Sequence, residues 1–122
     1  MEIALIAHDG KKADMVQFLN AHREILSKPS IHLISTGTTG EKITSAGYTV
    51  NPMLSGPLGG DAQIAARVAE GFCDMVLFFR DPLDKHPHEP DILMLMRLCD
   101  VHNVPLATNP ATAELLIKAK CG

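Results

Sequence analysis

Asp61 follows the segment Ser55-Gly56-Pro57-Leu58-Gly59-Gly60, half of which is glycine. A carboxylate there can lie against a bound molecule with little backbone bulk in the way. The same aspartate also reads as the negative group that opens a helix and is stabilised by its dipole. Asp9, Asp81 and Asp91 are similarly placed near the ends of apolar or helical runs. Carboxylates gathered at one edge repel unless cations, hydrogen bonds or shared protons compensate, and such crowding recurs at acid–base sites. His88 lies in a loop punctuated by Pro82, Pro87 and Pro90, which stiffen the chain and can fix an imidazole without helical support.

A second set of residues suits an anion. Thr36-Gly37-Thr38-Thr39-Gly40 offers three hydroxyls and flexible backbone N–H groups at a helix start, an arrangement that also serves as an ordinary cap. Ser55-Gly56 opens another strand-to-helix loop, and one phosphate has enough oxygens to be shared by two loops and a lysine. Lys12, just beyond the first apolar run, is the candidate charge. The glycine spacing matches neither G-x-x-x-x-G-K-[ST] nor G-x-G-x-x-G, so ATP and NAD are disfavoured. His86, His88, Glu89 and Asp91 invite a metal reading, but the prolines at 87 and 90 disturb the spacing and no thiol or helical histidine pair joins them, so no metal is expected. His22, His32 and His102 are expected to be structural. The methionines at 53, 75, 94 and 96 are expected to fill the core.

The elements that must position these residues follow from periodicity. Apolar runs at residues 3–7, 31–35, 75–79 and 104–107, with a weaker one near 48–51, alternate with helical patterns. Met15, Phe18, Leu19, His22, Ile25 and Leu26 recur at three- and four-residue steps, giving one buried helical face that Pro29 ends. Further helices are expected at residues 39–46, 61–70, 92–101 and 111–119, with Gly47 and Gly71 as closing glycines and Asn109 as an N-cap before Pro110. This order predicts an α/β fold: one doubly wound, flavodoxin- or Rossmann-like domain over residues 1–122, with a five-stranded, mainly parallel sheet flanked by helices. In such sheets ligands bind beyond the carboxyl ends of the strands, and the polar segments above all follow predicted strands.

Composition narrows the function classes. Eleven Lys and Arg against fourteen Asp and Glu give a net charge of −3, and aromatic residues make up 4% with no Trp. A nucleic-acid surface needs a basic field and usually stacking rings, so that class is excluded. No apolar run approaches the roughly 18 residues of a membrane span, and the apolar start at residues 3–7 is too short for a signal peptide. Three widely spaced cysteines, Cys73, Cys99 and Cys121, suit a reducing cytoplasm better than a disulfide framework.

Taken together, Ala7-His8-Asp9 with Lys12, Thr36-Gly37-Thr38-Thr39-Gly40, Leu54-Ser55-Gly56-Pro57-Leu58-Gly59-Gly60-Asp61, Asp81-Pro82-Leu83, Pro87-His88-Glu89-Pro90-Asp91 and Ala107-Thr108-Asn109 resemble the methylglyoxal synthase family over nearly the whole chain. The resemblance implies a cofactor-free lyase that converts dihydroxyacetone phosphate to methylglyoxal and inorganic phosphate, as a cytoplasmic homohexamer inhibited by phosphate. It makes Asp61 the general base and later acid, and His88 the group beside the substrate carbonyl. His8, Lys12, Thr36, Gly37, Thr38, Thr39, Ser55 and Gly56 become substrate contacts, with Asp9 and Asp91 among the catalytic carboxylates and Asp81 supporting. Many relatives extend further and contribute an arginine to a neighbouring site, whereas this sequence ends at Lys120-Cys121-Gly122, which implies that the contact is absent or replaced. The fold also resembles the allosteric domain of carbamoyl phosphate synthetases, which leaves a phosphate-sensing module without chemistry as the alternative. A flavodoxin or response-regulator reading fits less well: the first loop lacks a hydroxyl-rich flavin-binding segment, and the fifth strand ends without the lysine of receivers.

Overall fold

The computed structural model describes residues 1–122. β1 (Glu2–Ala7) is buried on both faces, Ile3, Leu5 and Ala7 entering one core and Ala4 and Ile6 the other. A strand sealed in this way reads as an unbroken apolar run, the signature of a central parallel strand. β2 (His32–Ser35), β3 (Asn51–Pro52), β4 (Met75–Phe79) and β5 (Leu106–Ala107) complete a sheet of order β3-β2-β1-β4-β5 in which every pairing is parallel.

Helices cover both faces. α1 (Lys12–Ala21), the short α2 (Arg23–Leu26), α3 (Gly37–Ser45) and α6 (Pro110–Lys120) pack Met15, Phe18, Leu19, Leu26, Ile43 and Ile117 on one side. α4 (Gly60–Ala69) and α5 (Glu89–Val101) pack Ile64, Val68, Ile92, Leu95 and Cys99 on the other. The chain thus winds outward from β1 in one direction and from β4 in the other, and the crevice between these strands is the expected ligand position. No helix is long and apolar enough to cross a membrane.

The departures from expectation are local. The third strand lies at Asn51–Pro52 rather than near 48–51 because Tyr48 is buried and donates its hydroxyl to Asn20 Oδ1 at 2.7 Å. β5 starts at Leu106, since Val104 N–H still donates to Cys99 O in the turn closing α5, where Asn103 takes φ 57°. The first helical face is interrupted at His22, whose backbone leaves the helical region and whose Nδ1 lies 3.0 Å from Phe18 O. His32 and His102 are exposed rather than packed. α3 begins two residues before the expected start, which puts Thr38 and Thr39 in its first turn. Gly47 (φ 98°) and Gly71 (φ 85°) close helices as left-handed residues. Asn109 caps α6 by accepting from Thr112 N–H at 3.0 Å.

Candidate active site

A cleft of about 370 Å³ opens at the carboxyl ends of β1 and β2 and is roofed by the segment between β4 and α5. His8, Asp9 and Lys12 reach it from the turn after β1, Thr36 and Thr38 from the start of α3, Gly56 from the 3-10 turn before α4, Asp61 from the first turn of α4, and His88 from the roof.

Asp61 is 0% exposed, and neither of its carboxylate oxygens has a hydrogen-bond partner. Oδ2 lies 3.2 Å from Nε2 of His88, but the angles fall outside those of a hydrogen bond. Burial raises the carboxyl above its ordinary range, with His88 opposing the shift and Asp91 adding to it. Leaving a buried charge without a protein partner is costly, and the raised pKa is the consequence, since the neutral carboxyl bears less of that cost. Gly56 makes the approach possible: a Cβ on it would sit 2.9 Å from His88 Nε2 and 3.4 Å from Asp61 Oδ2. Gly60 is equally constrained, because a Cβ there would overlap the Leu54 carbonyl. Gln63 in turn holds Leu54, accepting its N–H at 2.7 Å.

Lys12 is no solvated surface lysine. Its side chain is only 11% exposed and donates to Thr38 Oγ1 at 2.9 Å and to Asp9 Oδ1. The ammonium is therefore held where the first turn of α3 presents backbone N–H groups that have no intrahelical acceptor. Asp9 itself stands on the rim, its side chain 96% exposed, and the Lys12 bond holds its carboxyl below the usual range.

His8 is oriented from behind. Its Nδ1 accepts from Asp81 N–H at 2.9 Å, and a backbone N–H can only donate, so the neutral ring carries its proton on Nε2. That nitrogen is buried without a partner. Burial, then the neighbouring imidazoles of His86 and His88 and the Arg80 guanidinium, lower its pKa to about 4, against a smaller opposing effect of Glu89. Near neutral pH His8 is thus an uncharged donor.

Several sequence-selected residues do not line the cleft. Thr39 spends its hydroxyl on β1, accepting from Ala7 N–H and donating to Ala7 O, both at 3.3 Å. Gly37 gives its N–H to Leu54 O at 3.0 Å. Ser55 accepts at its carbonyl from Leu58 and Gly60 and shapes the loop from outside the cleft wall. Asp81 supports rather than lines: its N–H orients His8 and its Oδ1 accepts from Leu83 N–H at 3.1 Å. Asp91 sits in the first turn of α5, where its charge reaches Asp61 from behind the wall. The structure adds Gly10, Pro57, Asp84, Lys85 and His86 to the lining. No three His, Cys, Asp or Glu side chains converge as metal ligands. The sequence points to His86 only as a metal-ligand candidate; its place against His8 depends on a roof conformation that no spacing rule reveals.

Residues 14–108 match the family model described as an MGS-like domain. The chain is 61% identical over 120 residues to a methylglyoxal synthase of Caldicellulosiruptor saccharolyticus, covering 98% of this chain and 84% of that protein. It is 56% identical to one from Carboxydothermus hydrogenoformans, over 98% of each. The chain belongs to the methylglyoxal synthase family. A crystal structure of the methylglyoxal synthase from Elizabethkingia anophelis superposes with a TM-score of 0.90 at 42% identity, covering 98% of this chain and 78% of that one. The fold that brings Asp61, His88 and Lys12 to one cleft is therefore that of methylglyoxal synthases.

Proposed function

We propose that this protein is a methylglyoxal synthase that eliminates phosphate from dihydroxyacetone phosphate, with Asp61 as the base. The observation that carries the assignment of the base is the buried, unpartnered Asp61 carboxylate beside His88 at the inner wall of a cleft that also holds a fixed lysine. Asp61 removes a proton from the hydroxymethyl carbon, and the electron pair moves onto the ketone oxygen to give an enediolate. The uncharged imidazole of His8 donates to that oxyanion, as a neutral histidine does in triosephosphate isomerase, and His88 stands beside it. The hydroxyl on the deprotonated carbon then closes to an aldehyde C=O, its proton passing to the departing phosphate, while the enediolate C=C pair shifts to the neighbouring carbon and breaks its C–O bond to phosphate. The enolate left behind takes the proton from Asp61 on its terminal carbon and becomes methylglyoxal.

The phosphate cradle selects between two outcomes. Overlap of the enediolate π system with the σ* orbital requires the C–O bond to stand perpendicular to the enediolate plane, and a bond held in that plane favours isomerisation instead. Lys12, Thr36 and Thr38 with the start of α3 fix this torsion. Asp9 keeps Lys12 in place, and Asp91 helps keep the Asp61 carboxyl basic.

The deciding assay incubates the protein with dihydroxyacetone phosphate and measures methylglyoxal and inorganic phosphate, which should appear in equal amounts. Phosphate binding without turnover would leave the sensing module as the correct reading. Thr38→Ala is expected to weaken inhibition by phosphate about three- to tenfold, the loss of one hydrogen bond. Solvent-proton exchange into recovered substrate should rise relative to product. Unchanged inhibition would place the anion elsewhere.

The finer assignment is a cytoplasmic homohexamer. Leu83 in the roof is 95% exposed, and Leu58 in the turn before α4 and Leu93 and Val101 on α5 also present large apolar side chains to solvent, which a subunit contact would cover. The roof holds His88 and needs bracing, since a shift of about 1 Å costs on the order of a hundredfold in rate. Light scattering at assay concentration should give a mass several times 13.2 kDa. A fully active monomer would refute the assembly.

A further inference from the structure

His86 accepts Glu89 N–H at its carbonyl at 3.3 Å, but no hydrogen bond holds its side chain in place. Its ring lies flat on the ring of His8, centroids 3.5 Å apart and planes 20° from parallel. Phe78 meets His8 edge-on at 5.2 Å, and His88 stands across it at 6.2 Å and 85°. His8 is thereby enclosed by aromatic rings on several sides, with Nδ1 anchored on Asp81 N–H and Nε2 buried without a partner beside the cleft. His86 Nε2 is buried without a partner, so its placement buries a nitrogen at some cost, which the stack on His8 must offset.

We propose that His86 is a positioning residue for the elimination, its ring shielding one face of His8 so that the His8 imidazole stays desolvated, uncharged and fixed with Nε2–H aimed at the developing oxyanion. This rests on the methylglyoxal synthase reading for the oxyanion but not for the stack itself. The physical requirement is a flat ring rather than a charge: removing the ring admits water to His8, and hydration favours the imidazolium. An imidazolium would carry a proton on Nδ1, directly opposed to Asp81 N–H, and the ring would have to turn away. The groups that face His8 are His86 and Glu89 from the roof and the start of α5, His88 and Arg80 from either end of the β4–α5 segment, and its chain neighbour Asp9. Burial heads the causes that keep the His8 pKa near 4, ahead of the neighbouring charges.

The test compares His86→Ala and His86→Phe with the parent protein by two readouts. The first is NMR titration of the His8 imidazole in the ligand-free protein, which does not depend on any activity. His8 should titrate more than about one pH unit higher in His86→Ala, toward the ordinary histidine value. In His86→Phe, which keeps the ring and loses only the neighbouring charge, the rise should be smaller. The second is the pH profile of kcat/KM, in which the substrate's own phosphate ionisation is common to all three proteins. The acid limb should move to higher pH in His86→Ala, with kcat at pH 5 falling about tenfold for a rise of about two pH units in the His8 titration and KM changing little. His86→Phe should recover the larger part of that loss. Equal His8 titration in all three proteins, or a phenylalanine variant as impaired as the alanine variant, overturns the proposal. A normal shift in His8 titration with no methylglyoxal formed by the parent would leave the stack intact and remove the proposed reaction.

Discussion

Asp61→Asn lowers turnover by at least about a hundredfold, the lower end of what a positioned base supplies, while leaving the fold and phosphate binding in place. The amide has the shape of the carboxyl group but cannot accept the proton. The same change stabilises the protein at neutral pH, and the sign follows from linkage. Burial raises the folded-state pKa of Asp61 above the unfolded value, so the folded protein holds this proton more tightly than the unfolded chain. The stability contributed by the protonated carboxyl is full below the unfolded pKa and is lost as pH rises through the folded one. Asparagine mimics the neutral form at every pH. Its advantage in Tm is therefore largest near pH 7 and above, and it fades as the pH falls toward 4, where the wild-type carboxyl is also protonated. Thermal melts at several pH values alongside steady-state kinetics test both halves. Near-normal turnover would take the base role from Asp61, and a Tm advantage that grows on acidification would contradict the raised pKa.

Gly56→Ala should be almost as damaging to the reaction while costing little stability. Gly56 does not have a positive φ, so alanine meets no backbone strain there. What the new Cβ meets is His88 Nε2 at 2.9 Å and Asp61 Oδ2 at 3.4 Å, the two atoms whose spacing the chemistry needs. The imidazole is the end of a movable side chain on a loop, so it yields and the fold survives. A displacement of about 1 Å in a donor costs on the order of a hundredfold in rate, and kcat should fall by roughly that amount. The melting temperature should stay within a few degrees of the parent value. Turnover close to normal would show that the His88–Asp61 spacing is not needed.

Both variants turn on distances that no spacing in the chain encodes. What the sequence determined by itself was the arrangement of the sheet. Residues 3–7 and 75–79 are so apolar that only strands buried on both faces accommodate them, and such strands are parallel and joined by crossover helices. Once that was set, polar segments directly after the strands had to collect at one edge, which is why His8, Lys12, Thr36, Thr38, Asp61 and His88 were legible as a group. Side-chain alternation and glycine or proline punctuation are local signals, and they reported the local structure well. They failed at Tyr48, where the pull of the core on one ring moved the third strand toward residue 51. Tertiary structure alone decided which of the gathered polar groups face the ligand. Thr39 and Thr38 are neighbours of the same type, yet the helical turn points one hydroxyl at the backbone of β1 and the other at Lys12. Asp61 and Asp9 are both aspartates at helix starts, yet one is sealed from water without a partner and the other is solvated and paired. Carboxyl chemistry depends on that difference in solvation, because burial disfavours the charged form and raises the pKa. The degree of burial is set by what the rest of the chain packs around the group: here Gly56, His88 and the roof before α5, which meet Asp61 only after the sheet has formed.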